Sequence, residues 1–73
     1  MNKSYKYIKF LQMKKSQGGM FYICLNSRGE YRLGLIKWYP PWSQYCFFPE
    51  RDSVFNKTCL DDISDFCKNW AGR

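Results

Sequence analysis

Residues 37–49, KWYPPWSQYCFFP, decide the fold of this 73-residue chain. Two aromatic-rich runs flank a Pro-Pro pair, which is typical of two β-strands joined by a tight connection. Proline cannot adopt the positive φ angles of a two-residue hairpin turn. The connection is therefore predicted as a four-residue loop over residues 39–42 or as a turn with a cis proline. In this register Trp38 lies opposite Ser43, and Ile36 lies opposite Tyr45.

Working outward, residues 4–15 are predicted as a first strand at the sheet edge, because neither of its faces is purely apolar. Residues 16–19 form a glycine-containing turn. Residues 20–26 and 31–39 are the second and third strands, joined by a loop in which Gly29 suits a left-handed position. If Asn26 pairs with Glu30, Ile23 faces Leu33 across this hairpin.

The C-terminal segment is predicted as a helix. Thr58 is the expected N-cap, with Asp61 as its partner three residues later. Gly72 marks the end of the helix. An apolar stripe at spacings of three and four follows the N-cap: Cys59, Leu60, Ile63, Phe66, Cys67 and Trp70.

The predicted architecture is a single α+β domain, residues 1–73, with a four-stranded antiparallel β-meander and one C-terminal helix on one face. One side of the sheet is expected to receive the helix: Phe21, Ile23, Leu25, Leu33, Leu35, Cys46 and Phe48. The opposite side is expected to be uncovered: Tyr22, Arg32, Gly34, Ile36, Trp38, Tyr45 and Phe47.

The charge of +6 is unevenly distributed along the chain. Residues 1–49 contain eight basic side chains and one acid, whereas residues 50–73 contain four basic side chains and five acids. A basic body favours polyanions such as nucleic acid. Strand lysines also keep a sheet edge soluble and unpaired, which is the alternative explanation.

Membrane insertion and secretion are not expected, because lysines interrupt the apolar residues near the N-terminus and no apolar run approaches about 20 residues. We therefore expect a cytoplasmic protein. The four cysteines lie inside apolar periodic patterns and are expected as core residues rather than disulfides. They lack zinc-ligand spacing and the chain has no histidine, so neither metal nor cofactor is expected.

Catalysis is not expected either. Without histidine the commonest general base is absent. A cysteine nucleophile would need activation by a lysine or a carboxylate. Asp61, Asp62 and Asp65 occupy the beginning of a helix, where the macrodipole favours acids. The chain is therefore predicted not to be an enzyme.

The uncovered aromatic face is the candidate site. Rings beside cations suit stacking of unpaired bases, and Trp, Tyr and Arg also dominate protein interfaces. Alternatively, the first strand or a homodimer closes this face. The residues expected to contact a partner are Tyr22, Arg32, Trp38, Trp42, Tyr45, Phe47, Lys6 and Lys14.

The order WYPPW-x-QY-x-FFP, followed by Val54-Phe55 and by Cys59-Leu60-Asp61-Asp62-Ile63, resembles small proteins of bacterial phages and other mobile elements. The similarity covers about residues 21–70; the chain departs from it at Ser43, where arginine is common. The resemblance implies a protein that binds host or defence complexes, or nucleic acid, in a bacterial cell. We expect binding of single-stranded nucleic acid or a nucleoprotein. The alternative is an anti-CRISPR or other inhibitor of a host defence effector.

Overall fold

Five antiparallel strands and one helix make up the protein in a computed structural model that describes residues 2–16, 18–29 and 31–73. Each strand pairs with the next one in sequence order, so the sheet is a meander. The predicted α+β class is confirmed, but the sheet has five strands instead of four. The elements are β1 Lys3–Ser4, β2 Ile8–Lys14, β3 Met20–Asn26, β4 Arg32–Tyr39, β5 Gln44–Pro49 and α1 Lys57–Asn69.

The additional strand comes from a break in the predicted first strand. Residues 5–7 reverse the chain, the Tyr5 N–H donates to the Ile8 carbonyl at 2.8 Å, and β1 pairs with β2. The Ser27 N–H, in the loop between β3 and β4, donates to the Tyr7 carbonyl at 2.9 Å. This turn contains neither glycine nor proline, so its sequence carries no turn signal.

The strands pair in a register shifted by two residues from the predicted one. Ile23 lies opposite Leu35, and Ile36 lies opposite Phe47. Because side chains alternate with a period of two, this shift leaves them on the same sheet faces. The predicted grouping of side chains in β5 and most of β3 and β4 is therefore right. The predicted pairing of Asn26 with Glu30, and the turn position of Gln17, lie outside the described residues.

A β-bulge changes the faces of Leu33 and of Arg32, which lies opposite Leu25 and not on the predicted side with Tyr22. Cys24 pairs with Gly34 but Leu25 pairs with Arg32, which leaves Leu33 as the additional residue of β4. Bulges shift the alternation of a strand by one position. Leu33 consequently packs against the buried cluster beside the helix, and this contradicts its predicted grouping with Leu35 on the opposite face.

The connection between β4 and β5 has four residues, as predicted, but is displaced by one position. Tyr39 still pairs with Gln44. Pro40–Trp42 form one 3₁₀ turn, and Ser43 closes it in the left-handed conformation with φ 50°. The described residues contain no cis peptide bond, so the first of the two predicted connections is the one present.

The N-cap of α1 lies two residues before the predicted one, and the helix begins at Lys57. The side-chain oxygen of Asn56 accepts the Cys59 N–H at 2.7 Å, so Asn56, and not Thr58, is the N-cap. Asparagine is among the best N-cap residues because its short side chain satisfies an otherwise unpaired amide. Gly72 follows the helix with φ 83°, the left-handed conformation that glycine commonly adopts after a helix end, in agreement with its predicted place.

Helix and sheet enclose a core on the face that was predicted to be uncovered. The Phe66 ring stacks on Phe10 with centroids 4.1 Å apart and meets Tyr22 edge-on at 4.9 Å. The prediction of which face receives the helix is therefore wrong. The buried cluster consists of Ile8, Phe10, Tyr22, Cys24, Ile36, Cys59, Ile63 and Phe66.

Side-chain size explains this choice of face. Its middle holds the small residues Cys24 and Gly34, and the space above Gly34 receives the Phe47 ring, while Phe66 packs on Phe10 and Tyr22. A Cβ at Gly34 would lie 2.6 Å from both the Phe47 ring and the Phe48 carbonyl, so this position requires glycine. The opposite face carries bulkier residues at the same level and offers no comparable space.

Truncation of Phe66 tests this packing. Phe66→Ala removes a fully buried ring from the helix–sheet contact and is expected to lower the free energy of unfolding by about 3–5 kcal/mol. Leu60→Ala is the control in the same helix, because Leu60 is 54% exposed; it should change stability by less than about 0.5 kcal/mol. Urea denaturation measures both values. Equal losses would contradict the helix orientation.

The N-cap assignment is tested by Asn56→Ala and Thr58→Ala. Removal of the Asn56 side chain leaves the Cys59 amide without its partner and should cost about 1 kcal/mol of unfolding free energy. Thr58 is exposed in the first turn, so its alanine variant should cost less than about 0.5 kcal/mol. Thermal denaturation of both variants decides between the caps; a larger loss for Thr58 would restore the predicted one.

Candidate functional site

The sheet face opposite α1 is the candidate functional surface, called here the open face. Alternation along each strand assigns its members. None of them belongs to the buried cluster or to the apolar residues packed against it. Antiparallel sheets commonly face water on one side with polar residues, whereas this side is mainly apolar. The open face comprises Lys9, Leu11, Met13, Phe21, Ile23, Leu25, Leu35, Lys37, Tyr39, Cys46 and Phe48.

Aromatic rings concentrate where the open face meets the β4–β5 connection. Tyr39 contacts Trp42 with ring centroids 5.0 Å apart at 81°, and contacts Phe48 at 5.9 Å and 67°. The Lys37 Nζ lies 4.5 Å from the Phe48 ring centroid, within cation–π distance. Trp42 is 67% exposed. These four residues, Lys37, Tyr39, Trp42 and Phe48, form the tip cluster.

An open depression of about 250 Å³ lies within this cluster, lined by Tyr39, Trp42, Cys46, Phe47 and Phe48. This volume is slightly below the usual lower range of ligand pockets, about 300 Å³, and suits one ring system. Its aromatic walls, with Lys37 against the Phe48 ring, provide contacts for a flat ring that carries negative charge nearby.

Two further depressions lie outside the tip cluster. One of about 300 Å³ is lined by the β2–β3 turn, including Lys14 and Lys15. The meander places this turn at the same end of the sheet as the β4–β5 connection. The other, of about 460 Å³, lies at the opposite end and includes Arg32. The Arg32 guanidinium is already paired with Glu50 at 2.7 Å, so this cation is not free for a ligand.

Basic and acidic groups are unevenly distributed over the molecule. Lys9 and Lys37 lie on the open face, and Arg32 lies opposite Leu25 at the end of this face away from the β4–β5 connection. Among the described residues, every carboxylate lies after β5, at residues 50, 52, 61, 62 and 65, and the last three belong to α1. Near the β4–β5 connection the open face therefore presents apolar surface and Lys37, whereas at its other end Glu50 is paired with Arg32.

Three of the predicted contact residues are buried or partly buried on the helix side. Tyr22 is fully buried, and its hydroxyl accepts the Gly72 N–H at 2.8 Å. Tyr45 and Phe47 are partly buried against the core cluster. Tyr22 is thus a core residue that anchors the chain after α1, and its predicted exposure is wrong.

The other predicted contact residues are exposed but scattered. Trp38 is 49% exposed, on the helix side, with its ring 5.4 Å from Tyr45. Trp42 lies on the open side through its contact with Tyr39. Lys14 is at the tip end of the sheet, whereas Lys6 lies in the 5–7 turn at the opposite end. Trp42 and Lys14 lie at the same end of the sheet, but Lys14 lies opposite Met20 on the helix side, so the structure does not bring them together on the open face.

Sequence reasoning missed Lys37, Tyr39 and Phe48 as candidate surface residues, because Phe48 had been assigned to the core. One feature of the sequence indicates that the helix packs on the face that carries Cys24 and Gly34. Gly34 and Cys24 alternate with bulkier residues in β4 and β3, and small residues in the middle of a sheet leave room for a helix. Ile8 and Phe10 in β2 add apolar residues to the same side.

Two of the four cysteines are thiols whose burial disfavours the thiolate. All four are free. Burial raises the pKa of Cys24 to about 12 and that of Cys67 to about 11, so both remain protonated at neutral pH. No group of three or more potential metal ligands is found within the described residues.

A hydrogen bond fixes the N-terminal turn to the helix. The Tyr5 hydroxyl donates to the Asp65 Oδ2 at 2.6 Å, and the Asn69 amide donates to Asp65 Oδ1 at 2.7 Å. These donors, Tyr5 first, lower the pKa of Asp65 below its ordinary value. Burial and the neighbouring carboxylate raise the pKa of Tyr5.

Tyr5→Phe tests this contact. Without the hydroxyl, the pKa of Asp65 should rise toward its ordinary value near 3.9, measured by carbon-detected NMR titration of its carboxyl. Because the folded-state pKa is depressed, the stabilisation is complete above the unfolded pKa and is lost as pH falls through the folded value. The stability difference from wild type should therefore shrink in acid. Tyr7→Phe is the control; an unchanged Asp65 pKa in Tyr5→Phe would contradict the bond.

The amino-acid sequence is similar to that of a known phage protein. An "Uncharacterized 9.3 kDa protein" of Acholeplasma phage L2 is 34% identical over 65 residues, which cover 88% of this chain and 83% of the relative. No family model and no solved structure matches. In the part of the chain that the structure describes, no helix has the length and apolarity to cross a membrane. The extent of the identity confirms the predicted relation to small phage proteins, and the chain belongs to the family of this phage protein.

Proposed function

We propose that this chain is a non-enzymatic phage protein that binds single-stranded nucleic acid, alone or within a host nucleoprotein. The observation that carries the proposal is the open face, where aromatic and apolar side chains lie together with Lys9 and Lys37. Nonspecific single-strand binders combine a basic surface along the backbone with rings on which bases stack. Such a function requires the protein to act in the cytoplasm of the infected cell.

The dimensions of the open face support this proposal. Strands of six to eight residues, spaced about 4.8 Å apart, give the four strands β2–β5 a face about 20 Å long and about 15 Å wide. Lys9 lies near the start of β2, and Lys37 lies two strands away in β4. An extended strand of several nucleotides can therefore contact both lysines while its bases lie on the apolar surface between them.

A protein-directed inhibitor of a host defence effector is the second candidate. Leu11, Ile23 and Leu35 form the middle row of the open face, and aliphatic side chains bind apolar protein surfaces better than they stack on bases. The same open face would then dock an apolar protein surface. Salt dependence separates the two candidates, because counterion release accompanies phosphate binding but not apolar docking.

The test measures affinity for labelled 12-nucleotide dT and rU oligomers by fluorescence anisotropy at 50 and 200 mM salt. If two to four phosphates are neutralised, the association constant should fall about 7- to 50-fold over this range. Duplex DNA of the same length is the comparison, since paired bases offer no free ring faces. Absence of single-strand binding at 50 mM salt would overturn the proposal and favour the protein-directed function.

A further inference from the structure

We infer that the tip cluster is a single-nucleotide subsite in which one unpaired base stacks on Trp42 and Lys37 contacts an adjacent phosphate. This inference rests on the proposed function and specifies which part of the open face does the stacking. It commits to a nucleotide of a single strand as the occupant. The argument depends on ring geometry, on the exposure of the two tryptophans and on charge.

Ring geometry identifies Trp42 as the stacking platform. The Lys37 Nζ lies over the Phe48 ring at 4.5 Å from its centroid, so one face of Phe48 is occupied. Tyr39 contacts both neighbouring rings edge-to-face, at 81° with Trp42 and 67° with Phe48. The indole of Trp42 contacts Tyr39, and Trp42 as a whole is 67% exposed. A base can therefore stack on the indole without displacing a packed side chain.

The backbone holds this platform in place before a ligand binds. Pro40 and Pro41 each fix φ and limit the conformations of the 3₁₀ turn. The Ser43 N–H donates to the Pro40 carbonyl at 3.1 Å and closes the turn. Preorganisation of this kind reduces the entropy lost on binding. A rigid exposed indole with little contact to the core has no evident role in folding.

Charge selects a nucleotide over an uncharged aromatic ligand. Lys37 forms no ion pair within the described residues, in contrast to Arg32, which is bound to Glu50. Its ammonium group lies 4.5 Å from the ring centroid of Phe48, which lines the depression together with Trp42. A phosphate beside the stacked base meets this cation, and no carboxylate among the described open-face residues opposes it.

The experiment compares two exposed tryptophans of the same hairpin. Trp42→Ala should weaken binding of the dT and rU 12-mers about 5- to 150-fold. Trp42→Phe keeps a ring and should stay within about threefold of wild type. Trp38→Ala is the matched control, because Trp38 is 49% exposed on the opposite side of the sheet. It should change affinity less than twofold, and circular dichroism should show all three variants folded.

Two further readouts separate stacking from a structural effect. Base stacking should quench tryptophan fluorescence in wild type, and Trp42→Ala should lose this quenching although Trp38 and Trp70 remain. Lys37→Gln should reduce the steepness of the log affinity against log salt plot by about 0.7, the contribution of one phosphate. Lys68→Gln, an equal charge change on α1, should leave the steepness unchanged.

The outcomes distinguish the subsite from the general function. Wild-type binding with equal affinities for Trp42→Ala and Trp38→Ala would overturn the subsite and leave single-strand binding in place. A Lys37→Gln slope equal to that of Lys68→Gln would overturn the phosphate contact. Absence of wild-type binding to both oligomers at 50 mM salt would overturn the function and the subsite together.

Discussion

The position of the Phe66 ring between Phe10 and Tyr22 is the contact on which the rest of the structure depends. The stacked pair, with centroids 4.1 Å apart at 13°, and the edge-on contact at 4.9 Å attach α1 to β2 and β3. In a domain of this size one helix covers one side of the sheet. Burial of these three rings therefore determines that the opposite side, with Phe48 and Tyr39, is the exposed one.

Much of this arrangement is visible in the sequence, because alternation and helical spacing are local properties. They correctly separate Ile36 and Tyr45 from Leu35 and Phe48, and they identify the apolar stripe of α1. A two-residue register error does not disturb this separation, since it preserves the face of each side chain. Which face the helix covers is a different question, decided by how volumes fit across the layer.

Three features could not be read from local patterns because each depends on a distant contact. The 5–7 turn is held by Ser27 and by the bond from Tyr5 to Asp65, 60 residues away. The bulge that turns Leu33 toward the core shows no sequence signal beyond the adjacent Gly34. At the tip, alternation correctly put Trp38 and Tyr45 on one face. It does not predict the side of Trp42, because Trp42 lies in a 3₁₀ turn, whose side chains repeat every three residues and not every two.

Several charged groups of α1 have partners within the protein, whereas Lys37 has no ion-pair partner among the described residues. The first turn of α1 contains no acid, but Asp61 pairs with Lys57 at 3.0 Å and Asp65 accepts the Tyr5 hydroxyl at 2.6 Å. Lys37 has only the Phe48 ring as a partner, and a cation–π contact at an exposed site is worth about 0.5–1 kcal/mol. Transfer of its ammonium group to a phosphate breaks no ion pair, whereas Arg32 would have to leave Glu50. Lys37 is therefore a cation beside the exposed rings that can meet an anionic partner without breaking an ion pair.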